Sequence, residues 1–190
     1  MTARGRVIFL TGFSGTGKSH VGRLVSNTLG WGLADMDEMI TKRAGAPIVE
    51  IFEQGEDHFR ALEREVLAEV AEGDRVVVST GGGVPISEDN RQVMRSAGMT
   101  VRLEAAPEII FGRLKGSWRG NSDQGARGVI RPMLQEEGER PPVDRIRALL
   151  AEREEAYAAA DATICTDELT PRAVARRVVE AWKLFEDKRE

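Results

Sequence analysis

The chain has 190 residues, 41% hydrophobic, 31% charged and 5% aromatic, a mixture typical of globular proteins that excludes disordered and fibrous ones, and its length predicts one domain over 1–190 that buries about 70% of its unfolded surface. Twenty-seven basic residues against 31 acidic ones give a net charge of -4, which argues against a nucleic-acid or membrane-surface partner, because those usually meet a positive field. Cys165 is the one cysteine, so no intrachain disulfide forms, and with neither a signal-type apolar region nor a membrane-length apolar run the expectation is a cytoplasmic monomer.

Residues 7–10, Val-Ile-Phe-Leu, form a short apolar run of the fully buried strand type. Gly12, Gly15 and Gly17 follow at once, then a segment with helical spacing (Val21, Leu24, Val25, Thr28) that Gly30 ends. The order repeats with a strand at 31–35, a helix at 38–44, a helical stretch from Pro47 and a long helix at 56–72. A Val-rich strand at 75–79 leads into Gly81-Gly82-Gly83, with Ser87 placed to cap the next helix. A strand at 99–103, a helix from Pro107, a helix at 143–159, a strand at 162–165, where Cys165 reads as core, and a helix at 171–185 complete the chain. Alternating strands and helices predict a parallel sheet covered on both faces, an α/β architecture. Two stretches break the rhythm: 116–128, rich in Gly, Ser and Arg, and 135–142, which ends in a Pro pair. The first reads as part of a mobile lid.

Gly12-Phe13-Ser14-Gly15-Thr16-Gly17-Lys18-Ser19 matches G-x-x-x-x-G-K-[ST] between a buried strand and an amphipathic helix. In that context glycines let backbone N–H groups turn inward around phosphate oxygens while the helix offers its positive end. Lys18 is placed to reach the β- and γ-phosphates, and the Ser19 hydroxyl is a hard oxygen donor suited to Mg²⁺. A dinucleotide fingerprint starting at Gly15 fails, because His20 occupies the position that needs glycine.

Asp35 and Asp37 lie at the carboxyl end of the second strand, where ligands gather in open parallel sheets. Their spacing suggests one carboxylate for a metal and one for an acceptor hydroxyl; a helix N-cap is the other reading. Glu63 falls within the apolar stripe Phe59, Leu62, Val66, Val70, with Arg60 at its edge, and Arg153 falls within the stripe Ile146, Leu149, Leu150, Tyr157. Inward charges need partners. Arg60 has Glu63 as a candidate brace; Arg153 faces either an anionic ligand or a distant acid, unless it snorkels. Between Arg113 and Arg131, Lys115, Arg119 and Arg127 stand against the single acid Asp123, a basic patch over the triphosphate or a solvated loop.

The combination of GFSGTGKS (12–19), DMD (35–37), EIFEQGEDHFRALE (50–63), GGG (81–83), RPML (131–134) and RALLAEREEAY (147–157) resembles the shikimate kinases over nearly the whole chain. The resemblance implies a P-loop kinase fold, a three-layer α/β/α sandwich on a five-stranded parallel sheet of order 2-3-1-4-5, with a lid at about 113–131 and acceptor-binding helices at about 36–72. It implies phosphorylation of the 3-hydroxyl of shikimate in aromatic amino acid biosynthesis, with ATP as co-substrate and Mg²⁺ as cofactor. Carried over by position, Gly12, Gly15, Thr16, Gly17, Lys18, Ser19, His20, Arg113 and Arg131 meet ATP, and Arg113 with the 166–171 loop encloses adenine. Asp35 and Ser19 serve the metal, and Asp37 accepts the proton of the attacking hydroxyl. Arg60, Arg153, Gly82 and Gly83 hold shikimate, Glu63 holds Arg60, and Lys18, Asp37 and Arg131 are the catalytic set. Three features depart from the pattern: a long 113–131 segment, His20 where threonine is common, and no arginine within 166–171. Two other functions fit the phosphate site: a kinase for a nucleotide or a sugar acid such as gluconate, and a non-catalytic ATP-driven regulatory module.

Overall fold

The computed structural model of the chain describes residues 6–119 and 142–188. Five parallel strands form one sheet in the order β2-β3-β1-β4-β5. They are β1 (Val7–Thr11), β2 (Gly32–Asp35), β3 (Val76–Ser79), β4 (Gly98–Glu104) and β5 (Ala162–Cys165). The central β1 is buried along its whole length, and its side chains alternate between two cores: Val7 and Phe9 join one, Ile8 and Leu10 the other.

The first core lies under α2 (Met36–Ala44), α3 (Ile48–Glu53), α4 (Glu56–Ala71) and α5 (Glu88–Ala97), whose Met36, Ile40, Ile51, Phe59, Val66 and Met94 point into it. The second lies under α1 (Lys18–Leu29) and α9 (Pro171–Asp187), with Val21, Val25, Val174, Val178 and Trp182 inside. A smaller third cluster joins Phe13 of the phosphate loop to α6 (Pro107–Arg119) and α7 (Pro142–Glu152) through Ile110, Ile146 and Leu149. Helices on both faces of a parallel sheet, in the predicted strand order, make the three-layer sandwich.

Three local expectations are corrected. The helix expected at 143–159 is two, α7 and α8 (Glu154–Ala158), broken at Arg153, whose backbone takes φ -102° and ψ 0° and whose N–H reaches back to the Leu150 carbonyl at 3.2 Å. That short reach is a 3₁₀-type closure, which tightens and ends the turn. Cys165 is exposed rather than core, because β5 is an edge strand and only Ile164 of its four residues is buried. Ser87 stands at the N-cap of α5 with extended backbone, yet its side chain makes no capping bond. Gly30 ends α1 as expected, in the left-handed conformation.

Candidate active site

Parallel strands end on one side of a sheet, so the loops after β1, β2 and β3 meet at one rim. After β1, Gly12, Gly15 and Gly17 all take positive φ (125°, 84° and 97°). A side chain on Gly12 would also run into the Leu103 carbonyl of β4, so that position is closed to other residues on two grounds. Thr16 is buried and its hydroxyl donates to the Phe13 carbonyl at 2.9 Å, bracing the loop. Lys18 opens α1; its Nζ donates to the carbonyls of Gly12 (2.9 Å) and Phe13 (3.0 Å), and burial pushes its amine down to about 8. His20 is exposed on the first turn of α1.

Beside this loop, Asp35 takes the N-cap role and also meets Ser19. Its Oδ1 caps α2, accepting from the N–H groups of Asp37 (3.1 Å) and Glu38 (3.4 Å), while Oδ2 accepts from the Ser19 hydroxyl at 2.6 Å. Ser79, at the end of β3 and in register with Asp35, lies 3.2 Å from the same Ser19 hydroxyl. Three oxygens from three elements therefore converge, and hard oxygens suit Mg²⁺, which needs only one or two protein donors besides phosphate and water. Nothing in the sequence pattern singled out Ser79; its one signal is a small hydroxyl ending a run of valines.

Asp37, on the first turn of α2, has a buried Oδ1 without a hydrogen-bond partner among the described residues. Burial, reinforced by the charges of Asp35 and Glu63 and opposed by Lys18, pushes its carboxyl up to about 6. The same Oδ1 faces Gly81, where an added Cβ would sit 3.1 Å from it and 3.2 Å from Glu63 Oε1. A buried acceptor with no donor is expensive, and such a group earns its place by receiving one from a ligand.

Arg60 and Glu63 sit one turn apart on α4. Glu63 is 1% exposed and Nη1 of Arg60 donates to its Oε2 at 2.8 Å, while Glu56 holds the outer side of the guanidinium at 3.2 Å. Burial raises the Glu63 carboxyl, and the Arg60 charge opposes that rise. The guanidinium lies so close to Gly83 that a Cβ there would collide with it. Gly82 in turn lies over the phosphate loop, its Cβ position 3.5 Å from the Ser14 nitrogen. The structure thus brings Lys18, Ser19, Asp35, Asp37, Arg60, Gly82 and Gly83 to one rim.

Arg153, at the break between α7 and α8, places its guanidinium 5.5 Å from the centre of the Phe13 ring, so it too faces the phosphate loop. On the other flank Arg113 of α6 donates to the Thr166 hydroxyl and carbonyl, both at 2.9 Å, and joins α6 to the loop expected to enclose adenine. Arg131 and residues 120–130 of the expected lid lie outside the described residues. Residues missed by pattern are Ser79, Phe13 and Tyr157, the last counted only as a member of an apolar stripe.

The sequence model for shikimate kinase matches residues 14–183. A shikimate kinase from Geobacter metallireducens is 44% identical over 162 residues, 85% of this chain and 83% of the relative. A solved shikimate kinase from Acinetobacter baumannii, in complex with shikimate, superposes with a TM-score of 0.82 at 31% identity, covering 98% of this chain and 96% of that one. A gluconokinase from Sinorhizobium meliloti, at 16% identity and TM-score 0.55 over 98% and 97% of the two chains, shares the fold alone. With the family match spanning most of the chain and the same sheet order and loops in place, this protein belongs to the shikimate kinase family.

Proposed function

We propose that the protein transfers the γ-phosphate of ATP to the 3-hydroxyl of shikimate, a step of aromatic amino acid biosynthesis, in the cytoplasm. The observation that carries this reading is the buried, unpartnered Oδ1 of Asp37, set between the Lys18 side of the phosphate loop and the Gly81 turn. An acceptor hydroxyl supplies the missing donor, and the carboxylate then takes its proton as the oxygen attacks. Lys18 turns from the Gly12 and Phe13 carbonyls to the β- and γ-phosphates, and the N–H groups of the 12–17 loop surround their oxygens. Arg60, braced by Glu63, and Arg153 from the opposite wall grip the acceptor's carboxylate, while the backbone of Gly82 and Gly83 lies beside its ring. Arg131 reaches the transferring phosphate. Ser19 and Asp35 would hold Mg²⁺, with Ser79 orienting the Ser19 hydroxyl, and the metal would supply charge neutralisation for the triphosphate. No side chain serves as a nucleophile; alignment and charge neutralisation supply the rate.

A nucleotide acceptor is disfavoured by the aromatic residues of the acceptor region. Phe52 and Phe59 stack on one another, with centroids 4.3 Å apart, and Phe59 is buried in the core, so Phe59 offers no free face to a base and one face of Phe52 is taken. The test is ADP release from Mg-ATP with shikimate, and in parallel with quinate, gluconate, AMP and no acceptor. Saturable release with shikimate alone is expected. Release with none of them from protein that binds ATP overturns the reading in favour of a regulatory module.

A further inference from the structure

Arg153 stands where a helix breaks, and neither glycine nor proline accounts for the break. What holds it is a set of polar bonds to the rest of the fold. Glu154, the next residue, accepts two hydrogen bonds from Arg102 of β4, both at 2.7 Å. Arg102 is 6% exposed, an unusual depth for a guanidinium, and it lies 5.7 Å from the centre of the Tyr157 ring. Tyr157, one turn on, is buried, and its hydroxyl donates to the Gly82 carbonyl at 2.8 Å. Its backbone N–H donates to the Arg153 carbonyl at 3.0 Å, and the Arg153 charge opposes the rise that burial imposes on the phenol. Tyr157 therefore joins the 81–83 turn, through its hydroxyl, to the helix break at Arg153, through its backbone.

A cavity of about 400 Å³ lies against Gly12, Phe13, Arg102, Glu154 and Tyr157. Beside it the bidentate Arg102–Glu154 bonds give α8 a directional tie to β4.

We infer that Tyr157 is a positioning residue for the acceptor's carboxylate, its hydroxyl tying α8, at whose N-cap Arg153 stands, to the 81–83 turn, and that the Arg102–Glu154 pair anchors the helix break from which Arg153 projects. The inference rests on the proposed grip of Arg153 on shikimate. It extends that reading to three residues that touch neither substrate.

Shikimate and ATP binding by Tyr157→Phe, Glu154→Ala and Arg153→Ala, measured by titration calorimetry beside steady-state kinetics and melting temperature, separates the possibilities. Tyr157→Phe keeps the ring and loses only the hydroxyl, so shikimate Kd and KM rise about fivefold, the usual weight of one hydrogen bond, with ATP Kd unchanged and the melting temperature close to that of the parent. Glu154→Ala gives the same split between shikimate and ATP by an independent route, with a lowered melting temperature because the buried Arg102 guanidinium is left with Glu104 at 3.3 Å. Unchanged shikimate binding in both variants while Arg153→Ala weakens it overturns this inference and leaves the grip standing. Equal weakening of ATP and shikimate with a lowered melting temperature assigns Tyr157 and Glu154 a merely structural role and also overturns it. Unchanged shikimate binding in Arg153→Ala removes the grip itself, and the inference with it.

Discussion

Asp37 shows what a reactive carboxyl costs the fold. Its value is raised from 3.8 to about 6, chiefly by burial, so the folded metal-free protein binds this proton more tightly than the unfolded chain does. By linkage the carboxyl's contribution is fully present below about pH 4 and lost as pH rises through about 6; at neutral pH the buried charge destabilises by on the order of 2–3 kcal/mol. Asp37→Asn is therefore expected to melt several degrees higher than the parent at pH 7.5 without metal, with the gap closing near pH 4.5, while ATP affinity holds and turnover with shikimate falls severely. Equal melting temperatures at both pH values, by calorimetry, would contradict the burial argument; retained turnover would contradict the role as base. Arg153→Ala complements it: loss of a charge-assisted grip costs about 3 kcal/mol, on the order of a hundredfold in kcat/KM for shikimate, with the KM for ATP little changed. The charges of Glu63 and Arg153 were legible in the sequence because each interrupts an apolar stripe, and Arg60 because it borders one. Ser79 was not, since its meaning comes from its register with Asp35 and a 3.2 Å approach to Ser19, and register is a property of paired strands.

At the level of elements, the glycine turn after β3 is tied to its neighbours by close approach. Gly83 has ordinary backbone, φ -91° and ψ -16°, so alanine fits its conformation; what alanine cannot do is share the space with Arg60. Gly83→Ala is expected to fold normally, to bind ATP as the parent does, and to raise the KM for shikimate about tenfold by pushing the guanidinium off its mark. Gly12→Ala is the contrast: with φ 125° and a backbone carbonyl in the way, it should lose stability and ATP binding together. Thermal melts beside both KM values distinguish the two outcomes. Most elements could be read from the chain, the strands by their valine and isoleucine runs and α1 by its glycine stop. The break at Arg153 could not, because its main support, Glu154 on Arg102, joins residues 52 apart in sequence and leaves no mark on local periodicity.

For the whole molecule, the order β2-β3-β1-β4-β5 puts Asp37, Arg60, Gly82 and Gly83 after the strands on one side of β1 and the Arg113–Thr166 bridge on the other, with the phosphate loop between them. ATP spanning that middle should stabilise the folded chain by mass action, about 2.7 kcal/mol at a hundred times its Kd, or roughly 5–10 °C in the melting temperature of a chain this long. Scanning calorimetry with and without Mg-ATP reads it directly, and no shift at high nucleotide concentration would mean that the folded chain does not bind ATP. The sheet is also open, and open sheets carry the hazard of pairing with other chains along their borders. Here both borders, β2 and β5, are only four residues long. So short a row of unpaired backbone groups is a poor template for growth, which favours separate molecules in concentrated solution over strand-by-strand association.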